Sequence, residues 1–285
     1  MDLVDVAVNV QSHYELAKAA VLAGKAVYCE WPLAETSGQA EELAALARSQ
    51  GAVTAVGTQG RHAPGMPYLM ELLGQGAVGR PLFFRMHQLM PRFAVRSDHW
   101  WSSQRGSGAL GVAFCHGSDP LQFVLGGIAS VCAESGTLHP NDHYADTGEP
   151  FRWTAEDKVA VRLQNGVSGV IHTSNIATHA LRYALEAFGE EGQLQIQDPG
   201  HVSYSPGRLF RARRGKAELE EIFPSASSGC PTWTKGAPGT PWCTPCGKWP
   251  GPSAARQSTA PTLQTATAPT GRWPPCRNRL GPAGG

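Results

Sequence analysis

Charged side chains make up only 16% of this sequence, and 24 Lys and Arg against 23 Asp and Glu leave a formal net charge of +1. That near-balance excludes the basic footprint of a nucleic-acid or anionic-membrane binder. No apolar run approaches the ~20 residues that a membrane-spanning helix needs. The opening Met1-Asp2-Leu3-Val4-Asp5 carries acid where a secretory leader carries Lys or Arg. Seven Cys without regular spacing make no disulfide framework in a chain of 285 residues. The expectation is a cytoplasmic protein with a sizeable core, whose partners include neither nucleic acid nor membrane.

The last fifth of the chain is poorer still. From Gly229 onward there is no Asp or Glu and no Val, Ile, Met, Phe or Tyr, yet half of the 22 Pro lie there. Such a segment cannot bury enough apolar surface to offset the entropy of ordering it. Trp, Cys, Arg and Thr are frequent in it, a mixture that fits a GC-rich gene read in a shifted frame better than a low-complexity extension. Its Cys243-Thr-Pro-Cys246 lacks the second ligand pair of a structural zinc site and the strand and helix of a redox motif. Residues 229–285 therefore read as a disordered tail without zinc.

What remains alternates strand and helix. Residues 3–10 form a short β-branched run, read as a strand buried on both faces. Ser12 is placed to cap a helix that Gly24 stops, and residues 26–29 give a second strand ending in Glu30-Trp31-Pro32. Ser37 opens a further helix, 53–56 a third strand, and 66–73 another helix. That order implies right-handed crossovers and a parallel sheet, with ligands beyond the strands' carboxyl ends. Asn9 to Gln11, Glu30 to Pro32, and Gly57 to Gln59 then line one crevice. Gly74-Gln-Gly76-Ala-Val-Gly79 spells a dinucleotide fingerprint, but it follows a helix and precedes a strand, so it reads as a turn.

The second half changes pattern. Residues 110–125 read as a helix that Pro120 kinks, with His116 and Asp119 on one face. From 157 onward, alternating runs and the Asn165-Gly166 turn signal give antiparallel hairpins.

These pieces in this order resemble the Gfo/Idh/MocA family of nicotinamide-dependent sugar and cyclitol oxidoreductases. The resemblance rests on Gly24 to Leu33, Gly57 to Pro64, Gly76 to Pro81, the Gly108 to Gly126 helix and the Asn165-Gly166 hairpin. It implies an α/β fold in which a partial Rossmann domain (1–79) precedes an α/β domain with a large, open, mostly antiparallel sheet (80–228). It also implies NAD or NADP as cofactor, a polyol substrate, and a homo-oligomer formed through the second domain's sheet. The family's proton-handling set is a Lys, an Asp and a His. Here the Lys position is Trp31 and the Asp position Val112, while His116 is kept and Asp119, another common family residue, stands beside it.

Glu-Trp-Pro occurs in a branch that includes the fungal galactose-pathway repressor, so a regulatory protein without turnover is the alternative. The family's first strand and Gly-rich loop belong before Met1. The resemblance therefore implies a chain truncated at the front, poor in NAD(P) binding, with an inactive gene fragment as a third possibility.

His116 and Asp119 are the candidate catalytic residues: a neutral imidazole accepts a hydroxyl proton and a carboxylate can orient it. Asn9, Val10, His13, Glu30, Trp31, Pro32, Gln59 and Arg61 are the candidate cofactor residues. His13 stands at a helix start whose N–H groups suit a phosphate, or else is simply exposed there. Trp100 and Trp101 offer flat faces for a sugar, and equally for a core. His139, Asp142, His143 and Asp146 fit a polar loop better than a metal site, and none is assigned.

Overall fold

The computed structural model describes residues 2–63, 65–98, 108–164, 167–178, 183–200 and 207–223. The first three strands, β1 (Leu3–Val6), β2 (Ala26–Glu30) and β3 (Thr54–Gly57), form a parallel sheet in that order. Helices α1 (His13–Leu22) and α2 (Ser37–Ser49) both pack on one face of it, over Val6, Val27, Cys29 and Val56. Strand alternation puts Leu3, Asp5, Tyr28 and Glu30 on the other face.

β1 corrects two expectations. It ends at Val6, because Val10–Ser12 coils into a 3₁₀ turn that leads into α1. Nor is it buried on both faces: Leu3 is 55% exposed and Asp5 is exposed, since the helices cover only one side. The caps differ too. Ser12 makes no side-chain cap, whereas Thr36, not Ser37, accepts from Gln39 N at 3.2 Å and starts α2. Thr36→Ala should therefore lower stability by about 1 kcal/mol, read by chemical denaturation, and Ser12→Ala should not.

Helix α3 (Gly65–Gly74) hands over to β4 (Pro81–Leu89) through the Gly74–Gly79 segment, whose Gly76 and Gly79 adopt positive φ. It is a helix-to-strand turn, as read. β4 enters an eight-stranded sheet ordered β13-β12-β11-β10-β4-β9-β8-β5. Its members are β5 (Ser130–Gly136), β8 (Lys158–Gln164), β9 (Ser168–Ser174), β10 (Tyr183–Gly189), β11 (Gly192–Asp198), β12 (Arg208–Arg213) and β13 (Glu220–Ile222). All neighbours are antiparallel except β4 and β9. A two-stranded ladder, β6 (Asn141–His143) with β7 (Pro150–Arg152), stands apart.

Pairing of Gln164 with Ser168 fixes the expected hairpin, although its turn, Asn165-Gly166, lies outside the described residues. So does the whole of 229–285, including Cys243 and Cys246, and so do Trp100 and Trp101.

One face of this sheet is closed by α3 and α4 (Cys115–Leu125), over Phe84, Met86, Ile171, Leu185, Leu194 and Ile196. The other face is open and carries exposed Phe83 and Val170, with Phe83 stacked on Phe188 at 4.4 Å. α4 does not begin as read. Ala109–Phe114 is a π-helical turn, and α geometry starts only at Cys115, with Pro120 inside the regular part. The turn is pinned at its start: Ala109 N donates to Glu156 O, and Gly108, at φ 76°, would set a Cβ 2.6 Å from that same oxygen. No helix among the described residues is long and apolar enough to cross a membrane.

Candidate active site

Side-chain contacts among the described residues join the turns after β2 and β3 to the π-turn and to α4. The first is Trp31, in the turn after β2, where the Trp31–Pro32 peptide is cis. Its Nε1 donates to Gly111 O at 2.8 Å, in the π-turn that leads to His116. The second is Arg61, in the 3₁₀ turn Gln59–His62 after β3. Its Nε donates to Asp119 Oδ2 at 2.9 Å, its Nη2 reaches Oδ1, and its guanidinium lies over the Phe123 ring. The crevice at the strand ends thereby adjoins the π-turn and the first half of α4.

Within it, Glu30 is the centre of a polar cluster. Tyr28 Oη donates to it at 3.1 Å, and Gln59 Nε2 donates to both its oxygens at 3.0 and 2.8 Å. A Cβ on Gly57 would stand 2.6 Å from Glu30 Oε2 and 2.8 Å from Tyr28 Oη, so only glycine lets the cluster form over the end of β3. Burial raises the Tyr28 phenol, with the Glu30 charge adding to it, so the hydroxyl stays protonated and donates. Beside this cluster, Thr58 Oγ1 and Gln59 Oε1 are buried without a protein hydrogen-bond partner.

His116 keeps a partly accessible side chain while its Nδ1 is shielded. Burial lowers its pKa to about 4, so the neutral imidazole is the form present at neutral pH. Cys115 next to it is pushed up to about 12 by burial and then by the Asp119 charge, which makes it a thiol rather than a nucleophile.

Several expectations need correcting. His13 neither faces a phosphate nor lies exposed. The 3₁₀ turn rotates it inward to 2% exposure, with Nδ1 2.6 Å from Pro32 O and Nε2 2.9 Å from Val8 O, so it braces the crevice from behind. Val10 is 1% exposed and packs in the interior, leaving Asn9 as the exposed residue of that pair. Arg61 is engaged by Asp119 rather than open to a cofactor, and that carboxylate, expected to orient His116, is engaged in turn.

Asp142 accepts from Trp153 Nε1 at 3.1 Å and Asp146 from Ser97 N at 2.9 Å, the structural duties of a polar loop. Thr58 lies at the crevice as expected, whereas Tyr28 is read from sequence only as part of a strand. A strand-end position two residues before Glu30, on the same face, is the signal that could have found Tyr28.

The Gfo/Idh/MocA oxidoreductase family is matched over both parts of the chain. The family's "NAD-binding Rossmann fold" matches residues 1–58 and its C-terminal domain residues 67–195. The chain belongs to this family. An uncharacterized oxidoreductase of Synechocystis sp. is 31% identical over 75% of the chain and 59% of its own length. Levoglucosan dehydrogenase of Pseudarthrobacter phenanthrenivorans is 29% identical over 67% of the chain and 54% of its own length. A solved levoglucosan dehydrogenase with NADH and L-sorbose superposes with a TM-score of 0.71 at 25% identity, covering 85% of this chain and 66% of that one. Saccharomyces cerevisiae Gal80p shares the fold, with a TM-score of 0.71 at 21% identity over 79% of this chain and 64% of its own. The chain spans 54–64% of the first three sequence relatives it matches.

Proposed function

We propose that this chain carries the nicotinamide side and the substrate side of an NAD(H)-dependent oxidoreductase acting on the CH–OH group of a sugar, cyclitol or related polyol. The observation that carries the reading is the junction: Trp31 on Gly111 and Arg61 on Asp119 bring the crevice at the ends of β1–β3 to the helix that bears His116. The crevice residues fit a nicotinamide cofactor. Thr58 Oγ1 and Gln59 Oε1 are buried polar atoms with bonds still to make, as an amide or ribose hydroxyl offers. Asn9, Glu30 and Gln59 would hold it, and the bound cofactor supplies the hydride acceptor. The exposed residues leave NAD and NADP undivided.

His116 then does the proton chemistry. Its neutral ring accepts the hydroxyl proton as the carbonyl forms, a contribution of ~10²–10⁴-fold in rate. Trp31 donates a hydrogen bond but carries no charge, so it cannot polarise the carbonyl as an ammonium does. Its bond to Gly111 fixes the π-turn instead. NAD⁺ titration and a polyol panel, followed through NADH formation, test the reading. His116→Ala should lose about 10²-fold or more in kcat, and a variant as active as wild type would remove His116 from the mechanism. NAD(H) binding without turnover would favour the regulatory reading, which the replacements at Trp31 and Val112 support. The open face of the large sheet, with Phe83 and Val170, is proposed as the subunit interface, and sedimentation of Val170→Asp against wild type checks it.

A further inference from the structure

One end of the large sheet closes on a buried carboxylate. The last shared rung sets Gly136, Lys158, Ser174 and Leu89 side by side on β5, β8, β9 and β4. Asp157 stands just beyond it, 0% exposed, and ties its own segment to the three others that meet there. Its Oδ1 accepts from Leu138 N at 2.8 Å, and its Oδ2 from His139 N at 2.8 Å and Arg92 Nη2 at 2.9 Å. Its carbonyl accepts from Asn175 N at 3.1 Å and Ser174 Oγ at 3.0 Å. Arg92 is held in turn: its Nη1 donates to His139 O at 2.6 Å, and its guanidinium lies 4.4 Å from the centre of the Trp153 ring.

Stability alone does not ask for this pair. Taking two charges out of water costs about as much as their attraction returns, and packed apolar residues often serve as well. What the hydrogen-bonded pair supplies is one fixed geometry, and the residue before Asp157 is the one that meets the active-site helix. The first N–H groups of a helix have no partner within it. Here Ala109 N finds Glu156 O at 2.6 Å, and Gly108 lies so close that a Cβ there would stand 2.9 Å from Ala155 Cβ. From Ala109 the π-turn packs across β8 and β9 and continues directly into α4 and His116. The place of residues 155–157 therefore sets where that helix begins.

We propose that Asp157, gripped by Arg92, is a positioning residue for His116: its carboxylate fixes the corner from which the Glu156 carbonyl holds the start of the π-turn. The functional weight of the inference rests on the role given to His116 above. Neutralising the carboxylate releases Arg92 and loosens the corner, while the ladders of the sheet keep their own bonds. The turn then loses its fixed origin, and His116, carried on it, loses its fixed depth.

The test needs neither cofactor nor turnover, so it stands or falls separately from the oxidoreductase reading. Asp157→Asn keeps the shape and removes the charge. Arg92→Lys is milder, keeping the charge but losing the double grip on Asp157 and His139. Gly108→Ala forces the same contact apart from the helix side. Thr36→Ala, at the cap of α2, controls for a general loss of stability. Amide exchange and an NMR titration of His116, assigned against His116→Gln, are read on the folded proteins. The Ala109 amide should exchange about tenfold faster or more in the first three variants, with β8 and β9 still protected. The His116 midpoint should rise from about 4 towards 6.5 as water reaches the ring, least in Arg92→Lys. Thr36→Ala should change neither. An unchanged His116 titration in Asp157→Asn and Arg92→Lys would leave the pair a merely structural role and overturn the proposal. So would an Ala109 amide that exchanges in them as in the wild type.

Discussion

Acid should destabilise the wild type by about 3 kcal/mol more than it destabilises His116→Leu between pH 7 and pH 4. Burial lowers the folded-state pKa of His116 from 6.5 to about 4. The unfolded chain therefore binds a proton first. Above pH 6.5 the imidazole is neutral in both states and nothing is lost. As pH falls from 6.5 towards 4, protonation favours the unfolded chain, and the loss levels off once the folded state also takes the proton. His62 is lowered as well, by burial and then by Arg61, and adds to the slope in the same direction. Urea denaturation across this pH range, with both proteins compared at each pH, isolates the His116 share. Parallel slopes for wild type and His116→Leu would show that the ring is already hydrated enough to titrate normally.

The second large effect is expected at the junction. Arg61→Ala should lower unfolding free energy by about 3–5 kcal/mol, because it leaves the Asp119 carboxylate buried without its cation. Both side chains are only 14% exposed, and the arginine also covers Phe123. The exposed pair Arg80–Glu190 is the control: with side chains 71% and 44% exposed, Arg80→Ala should change stability by under ~0.5 kcal/mol. An Arg61→Met/Asp119→Leu double variant should recover most of the loss, since it removes both charges and keeps the volume. Midpoint shifts at constant m-value in denaturant would carry the measurement. Equal losses for Arg61→Ala and Arg80→Ala would mean that water reaches the junction and screens it.

Much of the architecture was legible because local rules and tertiary needs agree. Gly24 stops α1, Gly76 and Gly79 turn α3 into β4, and the alternation around Asn165-Gly166 becomes the β8–β9 ladder. The fingerprint spelled by Gly74, Gly76 and Gly79 lies between α3 and β4, whereas a phosphate loop must open a helix. β5, β6, β7 and β13 were missed. Each is short, or carries exposed polar residues without a clean alternation, so periodicity had little to register.

Local periodicity and turn residues sufficed for the strand–helix alternation of the first half and for the change from parallel to mostly antiparallel pairing, because each is written within a short window. What the polar residues do depends on contacts made across long stretches of chain. His13 became a brace because a 3₁₀ turn rolled it under Pro32, and Asp119 became half of a junction because Arg61, 58 residues away, folds onto it. Burial and pairing are properties of distant contacts, and no local window contains them.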